Sequence, residues 1–329
     1  LLGEVTPERI RASWESEQGR DDALWAQLAE LGLTGITVPE VAGGLGMNAV
    51  DFVLLAQECG YVALPEPLVN TALVAVPLLT ELGGELADTW LPRVASGEAH
   101  VVAGLAQNLL VEDAHIADLV LWFDDAGLYA LSQADMQLRH NPSVDPSRRL
   151  FALEPAASAT PLVSGDDAAE LASHSLDRGA LGAAAQALGL AQRMIDLSVQ
   201  YTGERQQFGQ AIGAFQAVKH HMANVAVRLE YARAPVHRAA DSIARGASRA
   251  GRDVAHAKLA ACEAANLAAK NSIQVHGAMG YTWEVDLHIF MKKAWALANT
   301  WGDAGFHKAR VAEHIFADGA TLGAAGTFS

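Results

Sequence analysis

Two short stretches carry residue types suited to a phosphate-bearing ligand. The first is Arg205-Gln-Gln-Phe208-Gly209. Arginine presents a planar fork of five N–H donors that matches phosphate oxygens. An aromatic such as Phe208 can pack beside a flat ring system, and Gly209 lets the backbone turn tightly. The second is Gln274-Val-His276-Gly277-Ala278-Met-Gly280. A neutral amide can donate to phosphate, and glycines let backbone N–H groups come close to it. Each stretch has an ordinary alternative. Arg205 could form a surface ion pair with Glu204 or another acid, and Gly277 could simply close a helix.

Other chemistries find less support. The histidines form no His-Glu-x-x-His or similar spacing, and no Ser-His-Asp arrangement can be argued. Cys59 and Cys262 each sit in an apolar helical pattern and read as buried small hydrophobes. No Cys-x-x-Cys or paired His/Cys spacing suggests a metal. A formal net charge of −15 argues against a nucleic-acid partner, because phosphate binding needs a basic surface. No run reaches the roughly 18 apolar residues that a membrane span needs. The first residues lack a basic region followed by an apolar block, so a cytoplasmic location is expected by default.

Three kinds of segment must position the two stretches. Residues 1–98 read as helices: Leu24, Trp25, Leu28 and Leu31 follow helical spacing up to Gly32, then an extended piece and a glycine turn span 36–46. Further helices are predicted over 48–60, 68–81 and 84–96. Residues 99–165 change character. Apolar runs at 101–105, 118–123, 127–132 and 149–153 are broken by Asp-Asp, Asn-Pro and Asp-Pro pairs, which predicts a small β-barrel or sandwich. Residues 166–329 return to helices over 168–202, 215 onward, 250–276 and 284–317, read as an up-down four-helix bundle. Phe215, Val218, Met222, Val225 and Leu229 form one apolar stripe. The tail from Gly319 to Ser329 is small and polar and is expected to fray.

The order of helices, small β unit and four-helix bundle resembles the acyl-CoA dehydrogenase family over nearly the whole chain. Glu30-Leu-Gly-Leu-Thr-Gly-Ile36-Thr-Val-Pro39-Glu-Val-Ala-Gly43-Gly-Leu-Gly46 is similar to its N-terminal motif. Gly189-Leu-Ala-Gln-Arg, the Arg205-x-x-Phe208-Gly209 turn and the Gln274-to-Gly280 segment are similar to its flavin-binding signatures. The resemblance implies FAD and an acyl-CoA thioester. It implies that Arg205, Phe208, Gln274 and the Gly277 turn reach across a subunit interface to a flavin held by a neighbour. The family's two consecutive glycines stand here as Gly277-Ala278. That contact survives if φ at Ala278 is negative.

The same resemblance exposes what is missing. Dehydrogenation needs a carboxylate base near the α-proton. Counted without gaps, the family's two glutamate positions fall on Trp301 and Gly179, and neither residue can accept a proton. Asp303 is the nearest replacement candidate, with Glu284 and Asp286 as further acids. Asp177 corresponds to a position that touches the pantetheine arm. The arginine expected for the CoA phosphates is Ala180, with Arg178 offset from it. The family's Thr-Glu-Pro and Gly-Ser-Asp segments are replaced by Ala103-Gly-Leu-Ala-Gln-Asn-Leu-Leu-Val-Glu112-Asp113.

These features imply one subunit of a heteromeric dehydrogenase, in a heterotetramer of two pairs. The partner would supply the glutamate. The resemblance extends to the split enzymes that actinobacteria use on steroid side chains joined to CoA. Two alternatives stay open: a self-sufficient homo-oligomer using an acid such as Asp303, and a non-catalytic scaffold of the same fold.

Overall fold

Capping side chains fix where the first helices begin. In the computed structural model, which describes residues 2–108, 110–320 and 323, α1 (Pro7–Glu15) starts on a proline and the Thr6 hydroxyl accepts from the Arg9 N–H. α2 (Asp22–Glu30) is capped by Asp21, which accepts from the Leu24 N–H at 2.9 Å. α3 (Ala49–Tyr61) opens on a reciprocal pair, Asn48 accepting from Val50 N–H and Asp51 from Asn48 N–H. Between α2 and α3 the structure has turns and a 3-10 turn (Glu40–Ala42), where the sequence suggested an extended piece. The segment closes its backbone bonds on itself, Leu45 N–H to Gly35 O at 3.0 Å and Met47 N–H to Ile36 O at 2.9 Å, so it needs no strand neighbour.

The helix expected over 68–81 is divided. α4 (Leu68–Asn70) runs into a π-helical turn (Thr71–Ala75) and then α5 (Val76–Leu82). Pro77 has no N–H to give to Ala72, and the Thr37 hydroxyl donates to that carbonyl instead. α6 (Gly84–Ala95) follows.

Six strands make two small sheets. β1 (Val101–Leu105), β3 (Leu119–Asp124) and β4 (Gly127–Leu131) form one, with β1 parallel to β3 and β3 antiparallel to β4. β2 (Val111–Glu112), β5 (Met136–Asn141) and β6 (Leu150–Pro155) form the other in the order β2-β6-β5. Side chains alternate along β1 and β3. Val102, Val120 and Trp122 face a core between the sheets with Phe151 and Leu153, while Val101, Ala103, Leu119 and Leu121 join the main helical core. Covering on both faces is why these strands read as unbroken apolar runs. β2 and β5 escaped the sequence reading. β5 buries Met136 but shows Gln137, Arg139 and His140 to solvent, so it has no apolar run to find.

The C-terminal bundle rests on α7 (Gly165–Glu204). Between α7 and α8 (Gln216–Ala244) lies a β-hairpin of β7 (Gln206–Gln207) and β8 (Gln210–Ala211). α9 (Ala250–His276) packs on both α7 and α8. α7 lies close on α3 because glycines leave room: a Cβ at Gly189 would sit 1.9 Å from Gln57 O, and one at Gly60 would sit 2.0 Å from Gln186 O. The last helix, expected unbroken over 284–317, is two: α10 (Leu287–Ala298) and α11 (Ala304–Ile315). The break carries left-handed φ values at Trp301 (57°) and Gly302 (92°). Two buried side chains hold it. Lys258 Nζ donates to Leu297 O at 2.6 Å, satisfying a carbonyl at the end of α10, and the His307 ring bonds Trp301 O at 2.9 Å. Most of the tail expected to fray lies outside the described residues. Among the described residues no helix is long and apolar enough to cross a membrane.

Candidate functional site

The two phosphate-suited stretches meet at one end of the bundle, where α7 and α9 finish together. The Tyr201 ring stacks on His276 at 4.3 Å and 20°, and its hydroxyl donates to His276 O at 3.4 Å. His276 does not bond the glycine turn beside it. Its Nδ1 bonds Ser272 O at 2.7 Å, one helical turn back, and burial lowers its pKa, so the ring stacks as neutral imidazole.

Arg205 follows directly on α7, with its backbone carbonyl accepting from Ile212 N–H at 2.8 Å. The ordinary alternative of an ion pair is not realised: among the described residues no acid holds the Arg205 guanidinium, and Glu204 instead accepts from Gln200 at 3.1 Å. Phe208 and Gly209 are the two loop residues of the hairpin, both in the left-handed region at φ 54° and 80°. That is the turn that joins tightly twisted strands, and it costs a phenylalanine more than a glycine. It leaves Phe208 91% exposed, edge-on to Phe215 at 6.1 Å. Phe215 and Val218, expected to be buried in the α8 stripe, are only half-buried at this end; Met222, Val225 and Leu229 further along are buried.

Gln274 is exposed on the last turn of α9. Gly277 takes the positive φ (58°) and nothing stands within 4 Å of the place its Cβ would occupy. Ala278 is exposed and is not among the residues with positive φ, so alanine sits there without strain. An unpaired guanidinium, a free amide, an open glycine backbone and an exposed aromatic together fit the phosphate and adenosine side of a dinucleotide.

The second region lies far along the same helix. Gly179 and Trp301, distant in sequence, are in contact. A Cβ added at Gly179 would lie 2.2 Å from the Trp301 indole. They line a narrow cleft with Glu66, Gln186, Lys293 and Arg148, which adjoins a cavity of 360 Å³ bounded by Asn70, Ala103, Glu112, Arg148, Trp295 and Thr300. Most charges here are already paired. Arg148 holds Glu112 at 3.2 Å, Lys293 reaches Asp145 at 3.5 Å, and fully buried Arg20 pairs with Asp113. Asn70 bridges both ways to Ala103, at 3.0 and 2.9 Å.

Glu66 is the acid in this cleft that sequence reasoning passed over. Its Oε1 accepts from Asp21 N–H at 3.0 Å, its Oε2 is buried without a partner, and burial raises its pKa against the pull of Arg20. Its only sequence signal was an acid locked between Pro65 and Pro67.

The other candidates are engaged elsewhere. Asp303 caps α11, accepting from Phe306 N–H at 2.8 Å, and lines a separate pocket with Lys258, Cys262 and His307 rather than the Gly179 cleft. Burial pushes the His307 imidazole down to about 4. Asp177 is buried and held by Arg310 of α11 at 2.7 Å. Arg178 pairs with Glu81, and Asp286 with Arg11. Cys59 is buried, its thiol pushed up to about 12, but Cys262 is only partly buried. Among the described residues no group of three or more His, Cys, Asp or Glu could hold a metal ion.

Comparison with known proteins adds relatives to this geometry. Residues 3–98 match the acyl-CoA dehydrogenase N-terminal domain, and residues 169–316 match the acyl-CoA dehydrogenase C-terminal domain. The acyl-CoA dehydrogenase IpdE2 of Mycolicibacterium smegmatis is 35% identical over 95% of this chain and 94% of its own length. Among solved structures, the steroid ACAD Tcur3481-Tcur3483, in a variant form, is similar with a TM-score of 0.88 at 24% identity, covering 97% of this chain and 95% of that one. The ChsE4-ChsE5 complex of Mycobacterium tuberculosis gives a TM-score of 0.85 at 22% identity, covering 95% and 93%. At these identities the likeness to the two structures is one of fold.

Proposed function

The chain belongs to the acyl-CoA dehydrogenase family of oxidoreductases, and from that premise we propose that it is the subunit of a two-chain, FAD-dependent enzyme that helps to hold the flavin without supplying the base. The observation that carries this reading is the contact between Gly179 and Trp301. Both positions counted for a catalytic glutamate lack a carboxyl group, and an indole fills the space where such a group would stand.

Distance supports a second chain. Gly179 lies on α7, and Arg205 caps that unbroken helix 26 residues later. At the helical rise that is about 39 Å, longer than one dinucleotide spans. On this reading a flavin touched by Arg205 would have its ring in another chain.

The reaction takes a proton from the carbon α to the thioester carbonyl and a hydride from the β carbon. Bound FAD supplies the hydride acceptor. This chain's part is binding. The Arg205 fork and the Gln274 amide would donate to pyrophosphate oxygens, with the Gly277–Ala278 backbone and Phe208 as the further groups that would hold the cofactor. The partner's carboxylate takes the proton. A bulky polycyclic CoA thioester is the proposed substrate class; one of the similar structures carries the description steroid ACAD. The proposed assembly is a heterotetramer of two such pairs.

The test is expression of the chain alone and with a related dehydrogenase chain that carries the glutamate. Flavin retention and thioester oxidation in the pair and not in the lone chain support the proposal. Oxidation by the lone chain would instead favour a homo-oligomer using an acid such as Asp303. Neither flavin nor activity in any combination would favour a scaffold.

A further inference from the structure

Unsatisfied polar groups gather where α1 meets the start of α10, apart from both the cradle and the cleft. His288 is 9% exposed, and both of its ring nitrogens are buried without a hydrogen-bond partner. The indole N–H of Trp14 is likewise buried and unpartnered. The two rings are 5.8 Å apart, and Trp283 covers His288 from the other side at 4.5 Å. Lys292, one turn along α10 from His288, sets its ammonium 3.9 Å from the Trp283 ring centre and 5.6 Å from that of Trp14. Among the described residues that ammonium donates no hydrogen bond.

The Trp14 indole N–H, the His288 imidazole and the Lys292 ammonium thus belong to one cluster of rings, and among the described residues none of them has a hydrogen-bond acceptor. A buried donor without a partner costs free energy, which an acceptor placed there would recover. The local charge says which acceptor. The nearby acid, Asp286, is already taken by Arg11, and Asp145, which also acts on Lys292, is held by Lys293. Among the described residues that leaves Lys292 without a carboxylate of its own, facing only the rings of Trp283 and Trp14. Lys292 and Arg11 both disfavour a second cation here, and together with burial they lower the pKa of His288.

We propose that this ledge binds one carboxylate group, held by the Trp14 indole N–H, an imidazole N–H of His288 and the Lys292 ammonium. A single negative charge matches the single unpaired positive one, and three donors suit the lone pairs of one carboxylate. Trp283, 68% exposed, forms the solvent side of the ledge. The carboxylate comes either from a small free acid or from a side chain of the proposed partner subunit. The second source rests on the two-chain reading; the first does not.

Acetate is the probe, titrated into the isolated chain against chloride at equal ionic strength. The indole N–H resonances of Trp14 and Trp283 are both followed by NMR, so that Trp283 still reports when Trp14 is replaced. Expected is a saturable shift that weakens at least tenfold in Lys292→Met and persists in Lys292→Arg, with far-UV circular dichroism confirming the fold. Trp14→Phe removes one donor alone and gives the same loss should Lys292→Met fail to fold. A partner-borne carboxylate gives a different pattern: no response to acetate, but association of wild-type chain and partner weakened at least tenfold by Lys292→Met and not by Lys292→Arg. If the wild-type pair does not form, the two-chain reading fails and the acetate result alone decides the ledge. Acetate acting no differently from chloride, with association unchanged in Lys292→Met or absent in the wild type, overturns the proposal.

Discussion

Arg205 is where the account is most exposed at the scale of single residues. Among the described residues nothing pairs with its guanidinium, so replacing it tests what it does for a ligand. A charge-assisted bond is worth about 1.5–3 kcal/mol, so Arg205→Ala in the assembled enzyme should weaken flavin retention about tenfold or more. The ratio of flavin to protein absorbance after dilution measures it, and unchanged flavin content contradicts the assigned role. Trp301 makes a different kind of claim. Removing a buried indole leaves a void against Gly179, and Trp301→Ala should cost about 3–5 kcal/mol of stability by denaturant unfolding. Glu66 gives a pH test. Burial raises its folded-state pKa, so its contribution is fully present below the unfolded carboxylate pKa and is lost as pH rises through the folded value. Glu66→Gln keeps an acceptor for Asp21 N–H, and its melting temperature relative to wild type should rise between pH 4 and pH 7. A difference that is flat or falls with pH contradicts the raised pKa. Arg205 and Gln274 could be named as candidates from sequence because phosphate chemistry has few suitable side chains. Glu66 could not, because an unpaired buried oxygen is a property of packing.

Helix ends and contacts, at the scale of elements, place these residues. The extents of α3, α6 and α9 were legible from apolar spacing and from residues that cap or break helices, and α9 runs over 250–276 as expected. The break between α10 and α11 was not. Nothing in Ala298-Asn-Thr-Trp301 stops a helix, and the chain turns there because Lys258 and His307, both brought in by other helices or later turns, take the carbonyls. The π-helical turn before Pro77 likewise depends on the hydroxyl of Thr37 from a distant loop. The contact of α3 with α7 is the element-level prediction. Gly189 meets the backbone of Gln57 so closely that a methyl group has no space. Gly189→Ala should destabilise by about 2–3 kcal/mol and lower the melting temperature. Gly203, where nothing stands within 4 Å of an added Cβ, serves as the control, with Gly203→Ala expected to change little. Equal effects at the two positions would mean that the helices do not meet as described.

The proposal assigns two tasks to two regions of one bundle. Among the described residues the side chains of Arg205, Phe208 and Gln274 have no polar partner, while the region around Gly179 and Trp301 is filled by an indole and by ion pairs. Fold and family were legible in the sequence because the order of helices, strands and bundle is carried by patterning over hundreds of residues. The proposed division of labour rests in the sequence only on an absence at two counted positions, and the contact between them required three dimensions. The most direct measurement is single-turnover oxidation of a CoA thioester by the co-purified pair, with the glutamate removed from one chain at a time. The account predicts that loss of the partner's glutamate abolishes flavin reduction, whereas Glu66→Gln or Asp303→Asn in this chain leaves its rate unchanged. Flavin reduction that survives without the partner's glutamate and stops on changing an acid of this chain would contradict it.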